Sequence, residues 1–358
     1  SRRGGMARKP ESDSTIRGQS MNNRSIGLAL TGVILAGGVS AGVWAEYETL
    51  VEMGYPAPKE GELVHVPPTM EDLEEADLHP ELKQVIRRGY DLFTNTQQLR
   101  GVNVFNDMNC SSCHLGEGRQ PFSGPVWPAA VTLPDFRGKN QHVNSLEERI
   151  AGCFAYSMNG TPPIYGSDDM VALSAYHQWL ATGVPMYPGQ PIYGRGFPRL
   201  DEPEQAPDYA RGEQIYQEQC AVCHSEDGSG LYQAGEYVFP APWGDGSNNW
   251  GAGISRTFTM AGFVKHNMPL GQPMSLSDQE AWDVALYITS QERPQDPRYT
   301  GDVRETRERF ADTFHKHTQY GTEREHDGAL LGNHGNTGEK GEIRPWNVGM
   351  PRFEYLED

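Results

Sequence analysis

Positive charge is in short supply in this chain of 358 residues: 30 Lys and Arg stand against 48 Asp and Glu, for a formal net charge of -18. Six of the basic residues and only two acids fall within residues 1–25, so the remainder carries -22. So acidic a body excludes nucleic-acid binding, which needs basic surface to neutralise phosphates, and an anionic substrate would require a local basic pocket. Hydrophobic residues are also sparse at 37%, while 41 Gly and 26 Pro are present. That balance suits small domains whose loops wrap a bound group in place of part of a side-chain core. Long apolar runs are missing except for the uncharged stretch Ile26 to Ala45. Read from Met21, it has a basic start at Arg24, an apolar middle and the small-x-small end Val43-Trp44-Ala45, the pattern of a secretory signal. An uncleaved anchor helix is the rival reading, since about twenty residues can just span a bilayer. Both predict export, and hence the periplasm.

Cysteine is the scarcest chemistry-bearing residue, at five. Four of the five form two Cys-x-x-Cys-His units, Cys110-Ser111-Ser112-Cys113-His114 and Cys220-Ala221-Val222-Cys223-His224. Such a pentad holds a haem covalently: two thiols add to the porphyrin vinyl groups and the following imidazole reaches the iron. Two copies in one chain predict two covalently bound haem c groups, with a zinc or redox dithiol pair as the competing reading. Cys153 is left over, and an odd cysteine in an exported protein is a free thiol or a ligand.

The length suits two domains with appendages. The predicted fold is mainly α: two tandem cytochrome c domains with long Pro/Gly-rich loops, an N-terminal signal segment and an irregular C-terminal extension. The expected boundaries are residues 1–45 for the signal or targeting region, 46–78 for an extended lead-in, 79–200 and 201–298 for the two domains, and 299–358 for the extension. Apolar spacing predicts a helix from about Pro80 to Thr96 before the first pentad. Ala210 to Tyr216 leads into the second in the same way, and in both copies a Gly is followed by an aromatic residue. Closing helices are predicted at Asp168 to Ala181 and at Asp278 to Gln291, the latter opened by the capping box Ser277-x-x-Glu280. Gly183 to Pro207, rich in Pro and Gly, reads as linker and haem-edge loop. His315, His317, His326 and His334 in the extension read as parts of a solvated or partner-binding tail.

Each haem iron has a sixth position whose occupant sets potential and reactivity. For the second haem, Met268 in Asn267-Met268-Pro269 is the expected ligand, with Met260, Met274 and His266 as competitors. For the first, the capping box Ser145-x-x-Glu148 starts a helix on which Arg149, Cys153 and Ser157 share one face at i, i+4 spacing. A thiolate from Cys153 on the iron would lower the haem potential. A small buried thiol, with Met158 or Met170 as ligand, is the ordinary alternative.

The two pentads, Gly152-Cys153-Phe154-x-x-Ser157-Met158-Asn159-Gly160 and Asn267-Met268-Pro269-Leu270-Gly271-Gln272 together resemble the dihaem thiosulfate dehydrogenases over about residues 80–298. The resemblance implies an oxidoreductase that couples two thiosulfates into tetrathionate, some members running in reverse. Electrons would pass to a soluble or membrane cytochrome or a high-potential iron-sulfur acceptor. It also implies His114 and Cys153 as axial ligands of the active-site haem, and His224 and Met268 as those of the exit haem. Some members have a Lys that exchanges with the Met; Asn267 stands there in this chain, so plain His/Met ligation is expected. Arg149 and Ser157 match the family's substrate pocket, and Arg137 or Lys139 matches a further basic position. The other readings are a dihaem carrier without its own substrate and a sulfur-carrier-loading cytochrome of a thiosulfate-oxidising complex. A simple carrier has no use for a stripe of Cys, Arg and Ser.

Overall fold

The computed structural model describes residues 48–187, 189–310 and 318–333. The apolar stretch Ile26 to Ala45, and His315, His317 and His334, lie outside the described residues.

Two helix pairs of the same design organise the chain. In the first, α2 (Pro80–Thr94) crosses α5 (Asp168–Leu180); in the second, α6 (Tyr209–Gln219) crosses α9 (Asp278–Thr289). Both crossings are closed by a glycine. A Cβ on Gly89 would lie 2.0 Å from the Ala172 carbonyl oxygen and 2.8 Å from Tyr176 Cβ, and one on Gly212 would lie 2.1 Å from the Asp283 oxygen and 3.0 Å from Tyr287 Cβ. The glycine that sequence comparison finds in both copies therefore sets the interhelical distance, since no side chain fits between the backbones. The ends are fixed by capping. Pro80 opens α2 after His79, Ser167 accepts from Met170 N at the start of α5, and Ser277 and Glu280 form the reciprocal box on α9.

Each pair carries its own core. Leu92, Phe93, Phe154, Leu173, Tyr176 and Leu180 are buried in the first, joined by α3 (Trp127–Thr132) and α4 (Leu146–Tyr156). Tyr216, Val264, Trp282, Ala285 and Ile288 are buried in the second, joined by the short α7 (Ala221–His224) and by α8 (Thr257–Asn267). Two small antiparallel hairpins complete the units. In β1 (Asp135–Arg137) and β2 (His142–Asn144), Arg137 pairs with His142; β3 (Leu231–Gln233) and β4 (Glu236–Phe239) form the other.

The residues before α2 do more than lead in. Thr69 and Asp72 form a capping box for α1 (Met70–Glu75), where the acidic run suits the positive end of the helix dipole. Tyr55 stacks on Phe122 at 5.2 Å and donates from its hydroxyl to the His266 carbonyl at 2.5 Å, tying this strap to both units. The extension also folds back. α10 (Val303–Phe310) and residues 318–333 bury Val303, Tyr320 and Leu331 against Trp250, so that these parts of the extension are packed on the second unit's side. Its root is a buried ion pair, Arg298 Nη2 to Asp296 Oδ2 at 2.7 Å.

Gly89→Ala and Gly212→Ala should each destabilise the fold by about 1–3 kcal/mol or more, as overpacked crossings do. Denaturant unfolding of the haem-loaded variants checks this, and unchanged midpoints would show that the crossings have room to spare.

Candidate functional site

The site is built on α4. Ser145 Oγ accepts from Glu148 N at 3.2 Å and Glu148 Oε2 accepts from Ser145 N at 3.0 Å, while Glu148 Oε1 also lies 2.8 Å from His142 Nε2. At the other end, Tyr156 has Lys139 Nζ 3.4 Å and the Arg298 guanidinium 5.2 Å from its ring centroid. Between these anchors Arg149 Nη1 donates to Cys153 Sγ at 2.8 Å across one helical turn, and Ser157 follows on the same cavity wall. Burial pushes the Cys153 thiol up, but the Arg149 guanidinium and a hydrogen bond with His114 more than reverse this and bring it down to about 6. This lowering favours the thiolate at neutral pH.

His114 faces Cys153 from the other wall. Its Nδ1 donates to the Gly124 carbonyl at 2.5 Å, and its ring stacks on Phe197 at 6.3 Å and 25°. With Nδ1 so engaged, Nε2 is the ring nitrogen left to face the cavity. Cys110 and Cys113 line the same cavity, of about 400 Å³, and burial pushes both thiols up to about 12. That is the reverse of what a redox dithiol needs. Met158 also lines this cavity, whereas Met170 is buried in the core away from it.

Five guanidinium groups converge here: Arg137 from β1, Arg149, Arg195 and Arg199 from the loop before α6, and Arg256 before α8. None has a carboxylate within ion-pair distance among the described residues. Burial, with Arg149 and Arg195 nearby, lowers Arg137 to about 10. Lys139 does not line the cavity. Its Nζ donates to the Gly251 carbonyl at 2.6 Å beneath the Tyr156 ring, and burial beside Arg298 and Arg256 holds it well below the usual lysine range. The structure thus gathers Cys153, Arg149, Ser157 and Arg137 on one cavity and sets Lys139 behind Tyr156. Sequence reasoning missed Arg195, Arg199 and Arg256; the only signal was that positive charge persists there in a body short of it. It also missed His177, a buried cavity-wall imidazole that burial lowers to about 4.

A second cavity of about 300 Å³ is lined by Cys220, Cys223, His224 and Met268. His224 Nδ1 donates to the Pro240 carbonyl at 2.8 Å, repeating the arrangement at His114. Met268 caps the end of α8, which brings the thioether to the wall. Met260 lines this cavity as well, but Met274 and His266 do not; His266 stacks on Phe122 at 5.4 Å. Asn109, Cys113 and Ile254 line both cavities, so the two share a wall.

Residues 98–186 match the family described as SoxA/TsdA, cytochrome c domain, and residues 207–288 match that described as cytochrome C oxidase, cbb3-type, subunit III. The chain is 47% identical over 276 residues to the thiosulfate dehydrogenase of Stutzerimonas stutzeri (strain A1501), covering 76% of this chain and 86% of that protein. The chain belongs to the thiosulfate dehydrogenase family. Another relative, the thiosulfate dehydrogenase of Thiomonas intermedia (strain K12), is 46% identical over 252 residues, 70% of this chain and 78% of that one. Among solved structures, the thiosulfate dehydrogenase TsdBA from Marichromatium purpuratum aligns with a TM-score of 0.70 at 43% identity, over 75% of this chain and 57% of that chain.

This thiosulfate dehydrogenase family member is an oxidoreductase of two cytochrome c domains carrying two covalently bound c-type haems. Its cavities suit them: each pairs two thiols with an imidazole whose Nδ1 is held by a backbone carbonyl. In the second, Met268→Ala should abolish the long-wavelength absorption band of methionine-ligated ferric haem, while Met260→Leu and Met274→Leu keep it. Persistence of the band in Met268→Ala would place the sixth ligand elsewhere.

Proposed function

We propose that this protein couples two thiosulfate ions into tetrathionate in the periplasm, passing two electrons to a cytochrome or high-potential iron-sulfur acceptor. The observation that carries the reading is the Arg149–Cys153 contact, a cavity-lining sulfur beside a guanidinium and facing His114, in a cavity with five guanidinium groups and no paired carboxylate among the described residues. In this reading Cys110, Cys113, His114 and Cys153 would hold the active-site haem. Cys220, Cys223, His224 and Met268 would hold the exit haem. The haems, when bound, supply one-electron acceptance.

The chain's own groups address an electrostatic problem. Each thiosulfate is a dianion, and two unit charges about 5 Å apart repel by about 3 kcal/mol at an effective dielectric of about 20. Two dianions raise that about fourfold. Arg137 and the other cavity guanidiniums offset the repulsion, and Ser157 adds a hydroxyl donor beside the reacting sulfur. Arg149 keeps Cys153 anionic, so that Sγ is both a ligand and a nucleophile. In the nucleophilic route, a bond forms between Cys153 Sγ and the outer sulfur of one thiosulfate as two electrons leave for the acceptor. A second thiosulfate then attacks that outer sulfur; the new sulfur–sulfur bond completes tetrathionate, the Cys153–sulfur bond breaks, and the thiolate returns. Charge balances: two dianions become one dianion and two electrons. Export is part of the reading, resting on the residues 26–45 pattern. Among the described residues no helix is long and apolar enough to cross a membrane.

Purified haem-loaded protein with thiosulfate and ferricyanide should form tetrathionate, and tetrathionate with a reduced donor tests the reverse direction. Cys153→Gly should lose turnover by about two orders of magnitude and Arg149→Gln by about 10- to 100-fold, with haem content intact because the pentads are untouched. Absence of turnover in both directions would leave a carrier. Full turnover in Cys153→Gly would remove the thiolate from the chemistry.

A further inference from the structure

The start of α8 is built against the usual rules. Ser, Thr, Asp or Asn is the normal residue before a helix, where its oxygen satisfies the first N–H groups. Here Arg256 occupies that place, no side chain caps the helix, and a cation stands at the positive end of the helix dipole. Arg256 Nε donates to the Gly253 carbonyl at 2.9 Å, and its terminal nitrogens have no hydrogen-bond partner among the described residues. Arg199 is beside it: both guanidiniums lie over the Phe258 ring, at 4.8 Å and 5.0 Å. Thr259, one turn into the helix and only 9% exposed, lines the same cavity, and its buried Oγ1 has no partner among the described residues. An uncapped helix start, two close guanidiniums and an unsatisfied hydroxyl on one cavity wall are together a site for an oxyanion.

We propose that Arg256, Arg199, Thr259 and the α8 N-terminus form a second oxyanion site that holds the sulfonate of the second thiosulfate. This rests on the thiosulfate-coupling reading and gives each of the two dianions its own place. The guanidinium nearest Cys153 is that of Arg149, whereas those around Arg256 belong to Arg199, Arg137 and Arg298, so Arg137 stands between the two groups. A haem carboxylate is the other source of the same chemistry. Two carboxylates need two cationic partners, and besides Arg149, which pairs with Cys153, four guanidiniums line the cavity.

The test uses the full haem-loaded chain and compares wild type with Arg256→Gln, Arg256→Lys and Thr259→Val. Thiosulfate dependence, the midpoint potential of the first haem and the melting temperature are measured on each. Arg256→Gln should raise KM for thiosulfate by about tenfold or more, the effect of losing a charge-assisted hydrogen bond, with a much smaller change in kcat and in potential. Arg256→Lys should recover part of the loss. Thr259→Val should raise KM while leaving the melting temperature equal or higher, because the lost hydroxyl has no protein partner. An unchanged KM in both Arg256→Gln and Thr259→Val overturns the proposal. So does a shifted haem potential with KM unmoved, which assigns these residues to a haem carboxylate. Wild-type protein that fails to couple thiosulfate at all overturns the underlying reading, and this site with it.

Discussion

A guanidinium one helical turn from a cavity-lining thiol is the contact on which the site depends. Out of water a thiolate is costly unless a counter-charge touches it, and Arg149 Nη1 does so at 2.8 Å from Cys153 Sγ. The i, i+4 geometry of a helix makes this pairing local. What is not local is holding α4 so that the pair faces His114. The Ser145–Glu148 box and the Glu148–His142 contact fix the start of the helix, and Lys139 and Arg298 lie against Tyr156 at its end. Arg298 is held in turn by Asp296 and by the folded-back extension. Residues far from the pentads in sequence thereby set where the sulfur sits.

The two halves share a frame and differ in what they present. Gly89 and Gly212 close equivalent crossings, Tyr176 and Tyr287 pack at equivalent places, and His114 and His224 each donate from Nδ1 to a backbone carbonyl. In the proposed ligation the first haem would take the Cys153 sulfur from the middle of α4 and the second the Met268 thioether from the end of α8. An anionic donor and a neutral one shift haem potentials in opposite senses, which would differentiate the halves without altering the frame. The shared wall of Asn109, Cys113 and Ile254 keeps the two cavities adjacent.

Local patterns were legible in the chain. Both capping boxes, Ser145 with Glu148 and Ser277 with Glu280, open helices where they stand, and the periodicity around Leu82, Ile86 and Phe93 becomes α2. The stripe of Arg149, Cys153 and Ser157 was readable because it lies within one helix. α8 was not, because its hydrophobic residues run all round it and it starts at an arginine rather than a cap. Arg195, Arg199 and Arg256 were invisible as a group, since only the tertiary fold brings the interdomain loop and the α8 start to the same cavity. Arg137 and Lys139 could not be separated by spacing. They sit two residues apart at the end of β1 and in the following turn, and the hairpin sends one to the cavity and the other beneath Tyr156. The packed extension was hidden because its few buried residues, Val303, Tyr320 and Leu331, are spread among many charges.

The distribution of charge reconciles an acidic protein with anionic chemistry. The chain carries -18 overall, yet the cavity gathers five guanidiniums with no paired acid among the described residues. At physiological salt, exposed charges act over about 8 Å, so the acidic surface has little hold on an ion already at the cavity mouth. Inside, burial weakens screening and the cations act at close to full strength on whatever enters. Burial, and then the neighbouring guanidiniums, lower Arg137 and Arg256 to about 10, which leaves both charged at neutral pH. A pocket so arranged is strained by its own charge until an anion fills it. That strain, together with the uncapped α8 and the unpartnered Thr259, favours a doubly charged guest over a neutral one and lets the surrounding surface remain acidic.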